Sequence, residues 1–208
     1  MGRLQKGILI TFEGIDGSGK STMAKRIAAH LGNDYDITLT TEPTLGWIGD
    51  VVRKSIVSDV NPLAELFLFV ADHAEHVAKV IKPALDEGKI VISDRYSDSR
   101  YAYQGATLAD RFANPIDWVK RIHAGWTIPP DLTFLLLVSP SVALKRCNAR
   151  KKTTKFEDIE FMKKVQANYL KLADESPRRI VKIDAEKDLH TMEEEVMGKI
   201  REYIRTRI

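Results

Sequence analysis

The sequence predicts a three-layer α/β fold, in which helices flank a five-stranded parallel sheet. Short apolar segments of strand length recur along the 208-residue chain, and longer segments with helical spacing separate them. Several apolar segments are continuous runs of β-branched residues and leucine, as expected for strands that are covered on both faces. Because strands and helices alternate in this way, we expect a parallel sheet between two layers of helices.

The predicted elements follow one another without a repeat or a low-complexity linker, so we expect a single domain over residues 1–208. The best strand candidates are residues 7–12, 37–41, 90–93, 132–138 and 180–183. Helical spacing is found in residues 22–31, 62–87, 116–123 and 156–173. In a last helix, Thr191 followed by Glu194 resembles a capping box. The apolar stripe of that helix, which favours packing against the core, consists of Val196, Ile200, Tyr203, Ile204 and Ile208.

The composition excludes several classes of protein. The chain has 32 Lys and Arg against 29 Asp and Glu, and the net charge of +3 is too small for a dedicated nucleic-acid binder. The only cysteine, Cys147, cannot form an internal disulfide, which predicts a reducing, cytoplasmic location. No apolar run approaches the roughly 18 residues of a membrane span, and the N-terminal run is typical of a first strand and not of a signal peptide. We therefore expect no membrane and no nucleic-acid partner.

Residues 14–21 read GIDGSGKS, which is the G-x-x-x-x-G-K-[ST] pattern of a phosphate-binding loop. The glycines let successive backbone N–H groups turn toward bound phosphate, and the following helix adds the positive end of its dipole. The apolar strand before the loop and the helical spacing after it favour a nucleotide site over a chance match. Lys20 is expected to reach the β and γ phosphates, and the Ser21 hydroxyl to bind Mg²⁺. The predicted nucleotide-binding residues are Gly14, Ile15, Asp16, Gly17, Ser18, Gly19, Lys20, Ser21 and Thr22.

The phosphate loop alone does not separate GTPase switches, motor ATPases and small-molecule kinases. The sequence lacks the Asn-Lys-x-Asp motif with which a GTPase recognises its base, and a motor ATPase usually needs a larger chain. The third predicted strand leads into Asp94, Arg95 and Tyr96, and strand ends in this type of fold face the ligand crevice. Asp94 is suited to hold Mg²⁺ directly or through water, and Arg95 to bridge two phosphates; an Asp–Arg surface pair is the alternative. These features favour a kinase.

The motifs of this chain resemble those of the thymidylate kinase family, in the same order and with matching spacing across nearly the whole length. The resemblance is carried by Asp16, Glu42 and Pro43, Arg53, Phe69 and Asp72, residues 94–96, the stretch SDSRYAYQG at 97–105, residues 144–146, and residues 156–173. It implies the reaction ATP + dTMP → ADP + dTDP with Mg²⁺, in the synthesis of dTTP. It also implies a P-loop NTPase fold and a homodimer.

For the transferred phosphates, the resemblance implies roles for five polar residues. Lys20 and Arg95 are expected to stabilise charge, with Arg95 spanning both phosphates, while Ser21 and Asp94 organise the metal. Arg53 is expected to hold the acceptor phosphate, and a solvated helix residue is the alternative interpretation at this position. The acceptor phosphate then attacks without a strong base.

For the sugar and the base, the resemblance implies a pocket of polar and aromatic residues. Asp16 is expected to accept a hydrogen bond from the sugar 3′-hydroxyl. Glu42 is expected to lie near the sugar or the metal, and the Glu42–Pro43 peptide bond is a candidate for the cis form. Phe69 is expected to stack on the pyrimidine, although its apolar neighbours also suit a core residue. Tyr103 would occupy the place of a ribose 2′-hydroxyl. The base and sugar pocket is lined by Ser99, Tyr103 and Gln104.

One position departs from the family pattern in the base pocket. The family often has arginine directly after the position of Asp72, where it contacts the thymine carbonyl, whereas this chain has His73. We expect His73 to contact the base in place of that arginine. A neutral imidazole can donate one hydrogen bond but lacks the fixed charge, so Arg100 is the candidate that compensates. Two alternative functions therefore remain: a kinase for another nucleoside monophosphate, and a nucleotide-binding switch or ATPase. A metal site of Asp72, His73 and His76 is disfavoured, because Mg²⁺ prefers oxygen ligands.

A basic segment follows the fourth predicted strand, where the family places a lid over its nucleotides, here at about residues 145–156. Residues 145–155 read KRCNARKKTTK, with six basic residues and no acid. A solvated loop and a nucleic-acid patch are the alternatives, but phosphoryl transfer builds negative charge that such a lid would stabilise. We expect Arg150 to supply that charge and Arg146 to pack on the adenine. Supporting candidates are Lys151, Lys152 and Lys155, the last at a position where the family commonly has arginine.

Overall fold

The computed structural model describes residues 6–148, 156 and 158–207 of the chain and has the predicted α/β architecture. Five parallel strands form one sheet, in the spatial order β2–β3–β1–β4–β5. They are β1 Ile8–Glu13, β2 Ile37–Thr41, β3 Ile90–Asp94, β4 Leu132–Leu137 and β5 Ile180–Asp184. The fold class is confirmed, and each predicted strand is present to within one residue at either end.

The two faces of the sheet pack against separate apolar clusters. Along β1, Ile8, Ile10 and Phe12 belong to the larger cluster, whereas Leu9 belongs to a second cluster that includes Val91. All residues of β1 are buried, because β1 is the central strand and is covered on both faces. Strand β2 at the edge is only partly buried, which agrees with its more polar sequence ITLTT.

The carboxyl ends of three neighbouring strands bring charged residues into one crevice. Strand β1 ends in Glu13 and continues into the phosphate loop, while β3 ends in Asp94. Phe12 lies opposite Asp94 in the parallel register. Strand β2 leads into Glu42, whose N–H donates to the Asp94 carbonyl oxygen (3.0 Å). Since parallel strands end at the same edge of the sheet, these residues meet there.

Helices cover both faces of the sheet. They are α1 Lys20–Leu31, α2 Trp47–Ile56, α3 Pro62–His76, α4 Lys82–Asp86, α5 Ser97–Thr107, α6 Pro115–His123, α7 Pro140–Asn148, α8 Ile159–Glu175 and α9 Leu189–Arg205. Helices α2, α5 and α7 are not among the predicted elements. Most of the α5 sequence SDSRYAYQGAT is buried, polar residues included, and its Ser, Tyr and Gly residues have weak helix propensity. Within the described part of the chain, no helix has the length and apolar character to cross a membrane.

The predicted helix over residues 62–87 is a succession of three helical segments. After α3, a π-helical turn at Val77–Ile81 leads directly into α4. Pro83 has no N–H to donate, and its ring crowds the carbonyl group four residues earlier, which accounts for the change of helical register. The first of these segments, α3, carries Phe69, Asp72 and His73.

Two predicted helix starts are wrong, because an aspartate caps each helix. Helix α8 begins at Ile159 and not at residue 156, and the Asp158 side chain accepts from the Phe161 N–H (2.8 Å). Helix α9 begins before the predicted capping box: Asp188 accepts from the N–H of Thr191 (3.0 Å), which places Thr191 inside the first turn. The apolar stripe packs on the core as predicted, with Val196, Ile200 and Ile204 buried and Tyr203 partly buried; Ile208 lies outside the described residues.

Candidate active site

The phosphate loop joins the end of β1 to the start of α1. Gly14 and Gly17 have φ angles of 141° and 81°, in the region that favours glycine. A Cβ atom at Gly17 would lie 2.3 Å from the carbonyl oxygen of Ala143, so no side chain fits there. Helix α1 begins at Lys20, and its N-terminal N–H groups are suited to an anion. A cavity of about 110 Å³ at this point is lined by the loop residues Asp16, Gly17, Gly19, Lys20, Ser21 and Thr22.

Lys20 is a buried cation within the loop. Its Nζ donates a hydrogen bond to the carbonyl oxygen of Ile15 (2.8 Å). Burial, together with the charge of Arg95, lowers the pKa of Lys20 from 10.5 to about 8. Because a bound phosphate would add negative charge beside this amine, phosphate binding favours its charged form.

Ser21 and Asp94 meet at the edge of the same cavity. The Ser21 hydroxyl donates a short hydrogen bond to Asp94 Oδ2. The other carboxylate oxygen of Asp94, Oδ1, is buried and has no hydrogen-bond partner among the described residues. Oxygen ligands of this kind suit Mg²⁺, so the two residues fit the predicted metal. In residues 6–148, 156 and 158–207, no group of three or more His, Cys, Asp and Glu side chains is arranged to hold a metal ion.

Arg95 connects the phosphate loop to a second cavity. Its backbone φ of 71° lies in the left-handed region, a strained conformation for a non-glycine residue that is often found at functional sites. Its guanidinium donates to Asp16 Oδ1 (2.6 Å), Ser99 Oγ (3.1 Å) and the Tyr103 hydroxyl (3.1 Å). Burial alone would raise the pKa of Asp16, but Arg95 and Lys20 outweigh it and lower that pKa. Asp16 therefore remains an acceptor beside the loop.

The second cavity has a volume of about 160 Å³. Its lining includes the predicted acceptor-binding residues Asp16, Glu42, Phe69, Arg95, Ser99, Arg100, Tyr103 and Gln104. Pro43, Ile56 and Phe156 complete the lining. Ile56 has no predicted site role, and Phe156 is predicted only as the end of the lid segment, because an apolar residue gives no local signal that separates a pocket from the core. The Glu42–Pro43 bond is cis, as predicted.

The two cavities meet at three side chains. Asp16, Glu42 and Arg95 line both of them. A phosphate group on the loop and an acceptor in the second cavity would therefore face each other across these residues. Two separate binding cavities with a shared wall of this kind are what a transfer reaction requires.

Two hydrogen-bond donors in the second cavity are unpaired. Arg100 Nε and Gln104 Nε2 are buried, and neither makes a hydrogen bond with a described residue. Because a buried unpaired donor is costly, each predicts an acceptor atom on a ligand. Carbonyl oxygens such as those of thymine or uracil provide such acceptors. Phe69 lines the same cavity and offers a ring for stacking.

His73 does not line the cavity, which contradicts the prediction that it contacts the base. It is fully buried, with Nδ1 hydrogen-bonded to Glu42 Oε1 (2.7 Å) and Nε2 to Thr127 Oγ1 (3.2 Å). Since both ring nitrogens are occupied, no polar atom of the ring is left for a ligand. Arg53 also lies outside the lining, but its guanidinium donates to the carbonyl oxygen of Pro43 (3.2 Å), a residue of the cavity wall.

Glu13 is a functional candidate that the sequence motifs do not identify. Its buried carboxylate accepts hydrogen bonds from the N–H groups of Tyr96 (2.8 Å) and Ser99 (3.2 Å), from the Ser99 hydroxyl (2.5 Å) and from the Tyr169 hydroxyl (2.8 Å). Burial raises the pKa of Glu13 from 4.5 to about 7. Glu13 thus anchors the turn that carries Arg95. The signal for it in the sequence is an acid at the end of a continuous apolar strand.

Of the named lid residues, Arg146 is the one that lies in the described part of the chain. It belongs to α7, and its guanidinium donates to the carbonyl oxygens of Gly17 (3.4 Å) and Ala185 (3.3 Å). Arg146 is therefore next to the phosphate loop. The other predicted lid residues lie outside the described residues: Arg150, Lys151, Lys152 and Lys155.

A phosphate loop that an arginine joins to a second cavity is typical of the P-loop kinases that phosphorylate small molecules. Residues 12–196 match the family model described as thymidylate kinase. The chain is 54% and 55% identical to proteins described as probable thymidylate kinases from Methanococcoides burtonii and Methanosarcina mazei, over 96% of its own length and 98% of each relative. A crystal structure of thymidylate kinase from Ehrlichia chaffeensis superposes with a TM-score of 0.76 at 30% identity, over 94% of this chain and 99% of that one. The chain belongs to the thymidylate kinase family and is thus a nucleoside monophosphate kinase.

Proposed function

We propose that this protein transfers the terminal phosphoryl group of ATP to dTMP, which yields ADP and dTDP for the synthesis of dTTP. The observation that carries the proposal is the junction of the two cavities, which Asp16, Glu42 and Arg95 line from both sides. Family membership supports dTMP as the acceptor. We expect the reaction to take place in the cytoplasm, since a chain with one cysteine has no internal disulfide to protect.

On the donor side, the N–H groups of the loop and the Lys20 amine bind the phosphates of ATP. Ser21 and Asp94 would hold Mg²⁺, which when bound would neutralise charge on the phosphate oxygens. Arg146, which contacts the carbonyl oxygen of Gly17, is proposed to pack on the adenine ring. Arg150 is proposed to add positive charge from the lid during transfer.

At the junction, Arg95 stabilises the charge that develops on the transferred group. Its hydrogen bond to Asp16 (2.6 Å) restrains the guanidinium before any substrate binds. Arg53 is proposed to bind the acceptor phosphate from its position beside Pro43. The acceptor phosphate is already an anionic nucleophile, so positioning and charge stabilisation are sufficient and no strong general base is needed.

In the acceptor cavity, each part of dTMP has a complementary group. Phe69 stacks on the base, while Arg100 and Gln104 donate to its carbonyl oxygens from the two buried unpaired N–H groups. The Asp16 carboxylate accepts a hydrogen bond from the 3′-hydroxyl. Tyr103 fills the space that a ribose 2′-hydroxyl would need, which favours a deoxyribonucleotide.

The nucleotide dUMP is the second candidate acceptor. Uracil presents the same carbonyl oxygens as thymine to Arg100 and Gln104, so these donors do not separate the two bases. The apolar side chains of Ile56, Phe69 and Phe156 in the cavity wall favour the methylated base. Burial of one methyl group contributes about 0.8 kcal/mol, which corresponds to a preference of roughly fourfold.

A substrate panel tests the proposal. Steady-state kcat/KM is measured with ATP and Mg²⁺ for dTMP, dUMP, UMP, CMP and AMP. We expect the highest value for dTMP, a moderately lower value for dUMP, and much lower values for the others. A clear preference for any other acceptor would refute dTMP as the substrate. Equally fast ATP consumption without an acceptor would instead support an ATPase or switch.

We further propose a homodimer. Large apolar side chains on and near α2 and α3 are exposed, namely Leu45 (86%), Trp47 (75%), Phe67 (49%) and Val51 (37%). Exposed apolar residues that cluster on neighbouring elements are typical of a protein–protein interface. Sedimentation equilibrium at micromolar concentration tests the proposal, and a mass of one chain at all concentrations would contradict it.

A further inference from the structure

A buried charge cluster lies behind the acceptor cavity. Glu42 follows β2, Arg100 is in the first turns of α5, and His73 and His76 are on α3; all four side chains are almost fully buried. Arg100 Nη2 donates to Glu42 Oε2. The other carboxylate oxygen of Glu42, Oε1, is hydrogen-bonded to His73 Nδ1 (2.7 Å) and His76 Nδ1 (2.6 Å). Both oxygens of the carboxylate are therefore occupied.

The two histidines are themselves held at their far ends. His73 Nε2 is hydrogen-bonded to Thr127 Oγ1 (3.2 Å), and His76 Nε2 to Thr40 Oγ1 (2.7 Å). The His73 ring thus joins Glu42 to the loop after α6, and the His76 ring joins it to β2, the strand that precedes it. Because the Glu42 carboxylate is fixed in this way, the ion pair with it holds the Arg100 guanidinium in one position.

Within the cluster, Arg100 is the ion-pair partner of Glu42. Burial alone would raise the pKa of Glu42, but Arg100 and His73 outweigh it and hold that pKa well below its usual value. Burial lowers the pKa of His73, so its ring is neutral and donates without adding charge. An arginine at position 73 would place a second buried cation beside Arg100 and compete with it for Glu42. Histidine at this position leaves Glu42 as the ion-pair partner of Arg100.

Arg100 lines the cavity and keeps an unpaired donor, Nε. The guanidinium is planar and rigid, so the bond from Nη2 to Glu42 also restrains Nε. Nε is buried, has no partner in the described part of the chain, and belongs to a residue of the cavity lining. A guanidinium only donates hydrogen bonds. It therefore favours a base with a carbonyl oxygen at this place and disfavours a base with an amino group there.

We propose that Arg100 selects the base of the acceptor through its Nε, and that His73 and His76 are positioning residues that hold Arg100 there through Glu42. This inference rests on the proposed function and deepens it. Thymine presents a carbonyl oxygen where cytosine presents an amino group. The cluster should therefore set the preference for dTMP over dCMP, whereas dUMP should be little affected relative to dTMP.

The test is a double-mutant cycle on the ratio of kcat/KM for dTMP to kcat/KM for dCMP. Arg100→Met should lower kcat/KM for dTMP by roughly 10- to 100-fold, mainly through KM, and narrow the ratio, since it removes a charged donor. His73→Ala should narrow the ratio about fivefold, and His73→Gln, which keeps a neutral donor, should restore most of it. In the Arg100→Met background, His73→Ala should not change the ratio further, because it acts through Arg100.

Two further variants keep the test decisive. Arg100→Met leaves the buried Glu42 carboxylate without its cation. If this single variant does not fold, the double variant Glu42→Gln/Arg100→Met is used in its place. The matched control is His123→Gln, because His123 is a buried histidine whose ring lies 5.3 Å from that of His73 and whose Nδ1 bonds to the Val119 carbonyl oxygen and not to Glu42. It should change the melting temperature and not the ratio.

The outcomes separate the two levels of the proposal. An unaltered protein that does not phosphorylate dTMP would refute the proposed function and this inference together. A selective protein whose ratio is unchanged in Arg100→Met would refute the inference alone. The positioning role would be excluded if His73→Ala lowered the dTMP-to-dCMP ratio equally in both backgrounds. It would also be excluded if His123→Gln lowered the ratio as much, because either result would show a general structural effect.

Discussion

The donor and acceptor halves of the site balance their charges in different ways. In the donor half, the cations Lys20 and Arg95 converge on a cavity of backbone N–H groups, and burial with Arg95 lowers the pKa of Lys20 to about 8. In the acceptor half, the Arg100 guanidinium is paired with Glu42, and His73 and His76 occupy the other oxygen of that carboxylate. The donor half thus gathers cations and backbone donors around a site for an anionic ligand, whereas the acceptor half holds its arginine in a buried ion pair.

This difference indicates what each half contributes to the reaction. Cations and backbone donors that converge on one cavity stabilise negative charge that develops there, so the donor half is suited to lower the transition-state barrier. A neutralised, rigid network gains little from added charge, but it fixes donors whose pattern distinguishes one base from another. We therefore expect changes in the donor half to affect kcat and changes in the acceptor half to affect KM and selectivity.

The largest expected effect is that of Lys20→Met. Loss of this amine should lower kcat by on the order of 100- to 1,000-fold, because a buried charge that stabilises the transferred group is removed. The affinity for dTMP, measured by titration calorimetry, should stay within a few-fold of the unaltered protein. Phe69→Ala in the acceptor cavity is the matched counterpart and should raise KM for dTMP more than it lowers kcat. Reversal of this pattern would contradict the division between the two halves.

The phosphate loop and its backbone geometry could be predicted from the sequence. Its residues lie in one contiguous stretch, and glycines such as Gly14 and Gly17 specify the backbone geometry. The five strands were equally predictable, because continuous apolar runs mark strands that are buried on both faces. Local sequence is sufficient where local backbone determines the geometry.

The acceptor half was predictable as a list of residues but not as an arrangement. His73 follows Asp72 directly, yet its side chain turns toward Glu42, which lies 31 positions earlier in the chain. No local pattern indicates which of several polar residues on a helix will face a ligand and which a buried partner. Helix α5 was not predicted because its Ser, Tyr and Gly residues have weak helix propensity, and tertiary contacts bury most of its polar side chains.

An intermediate effect is expected for Glu13→Gln, beneath the junction of the two halves. The pKa of Glu13 is about 7 in the folded protein against an ordinary 4.5, so between these values the folded protein binds a proton that the unfolded chain has lost. The contribution of Glu13 to stability is therefore greatest below pH 4.5 and falls as the pH rises to about 7. The fall should amount to about 3 kcal/mol in the free energy of unfolding.

Urea unfolding between pH 4.5 and 8 measures this dependence. The free energy of unfolding of the unaltered protein, minus that of Glu13→Gln, should decrease across the window and level off above pH 7. Glu202→Gln removes a carboxylate whose side chain is 69% exposed and serves as the control, with a difference that stays nearly constant. A constant difference for Glu13→Gln as well would show that Glu13 does not carry a proton in the folded protein.

The smallest expected effect is that of Tyr103→Phe, at the border between the halves. The change removes a hydroxyl that accepts a hydrogen bond from Arg95 (3.1 Å) but keeps the ring over which the guanidinium lies at 4.9 Å. We expect kcat/KM for dTMP to fall about three- to tenfold, as for one neutral acceptor. The space left by the hydroxyl should also improve use of the ribonucleotide analogue of dTMP, which narrows the deoxyribose preference. Tyr101→Phe, on the same helix but outside both cavities, is the control and should leave the preference for deoxyribose unchanged. If Tyr101→Phe weakened that preference as much as Tyr103→Phe does, Tyr103 would not be the residue that excludes the 2′-hydroxyl.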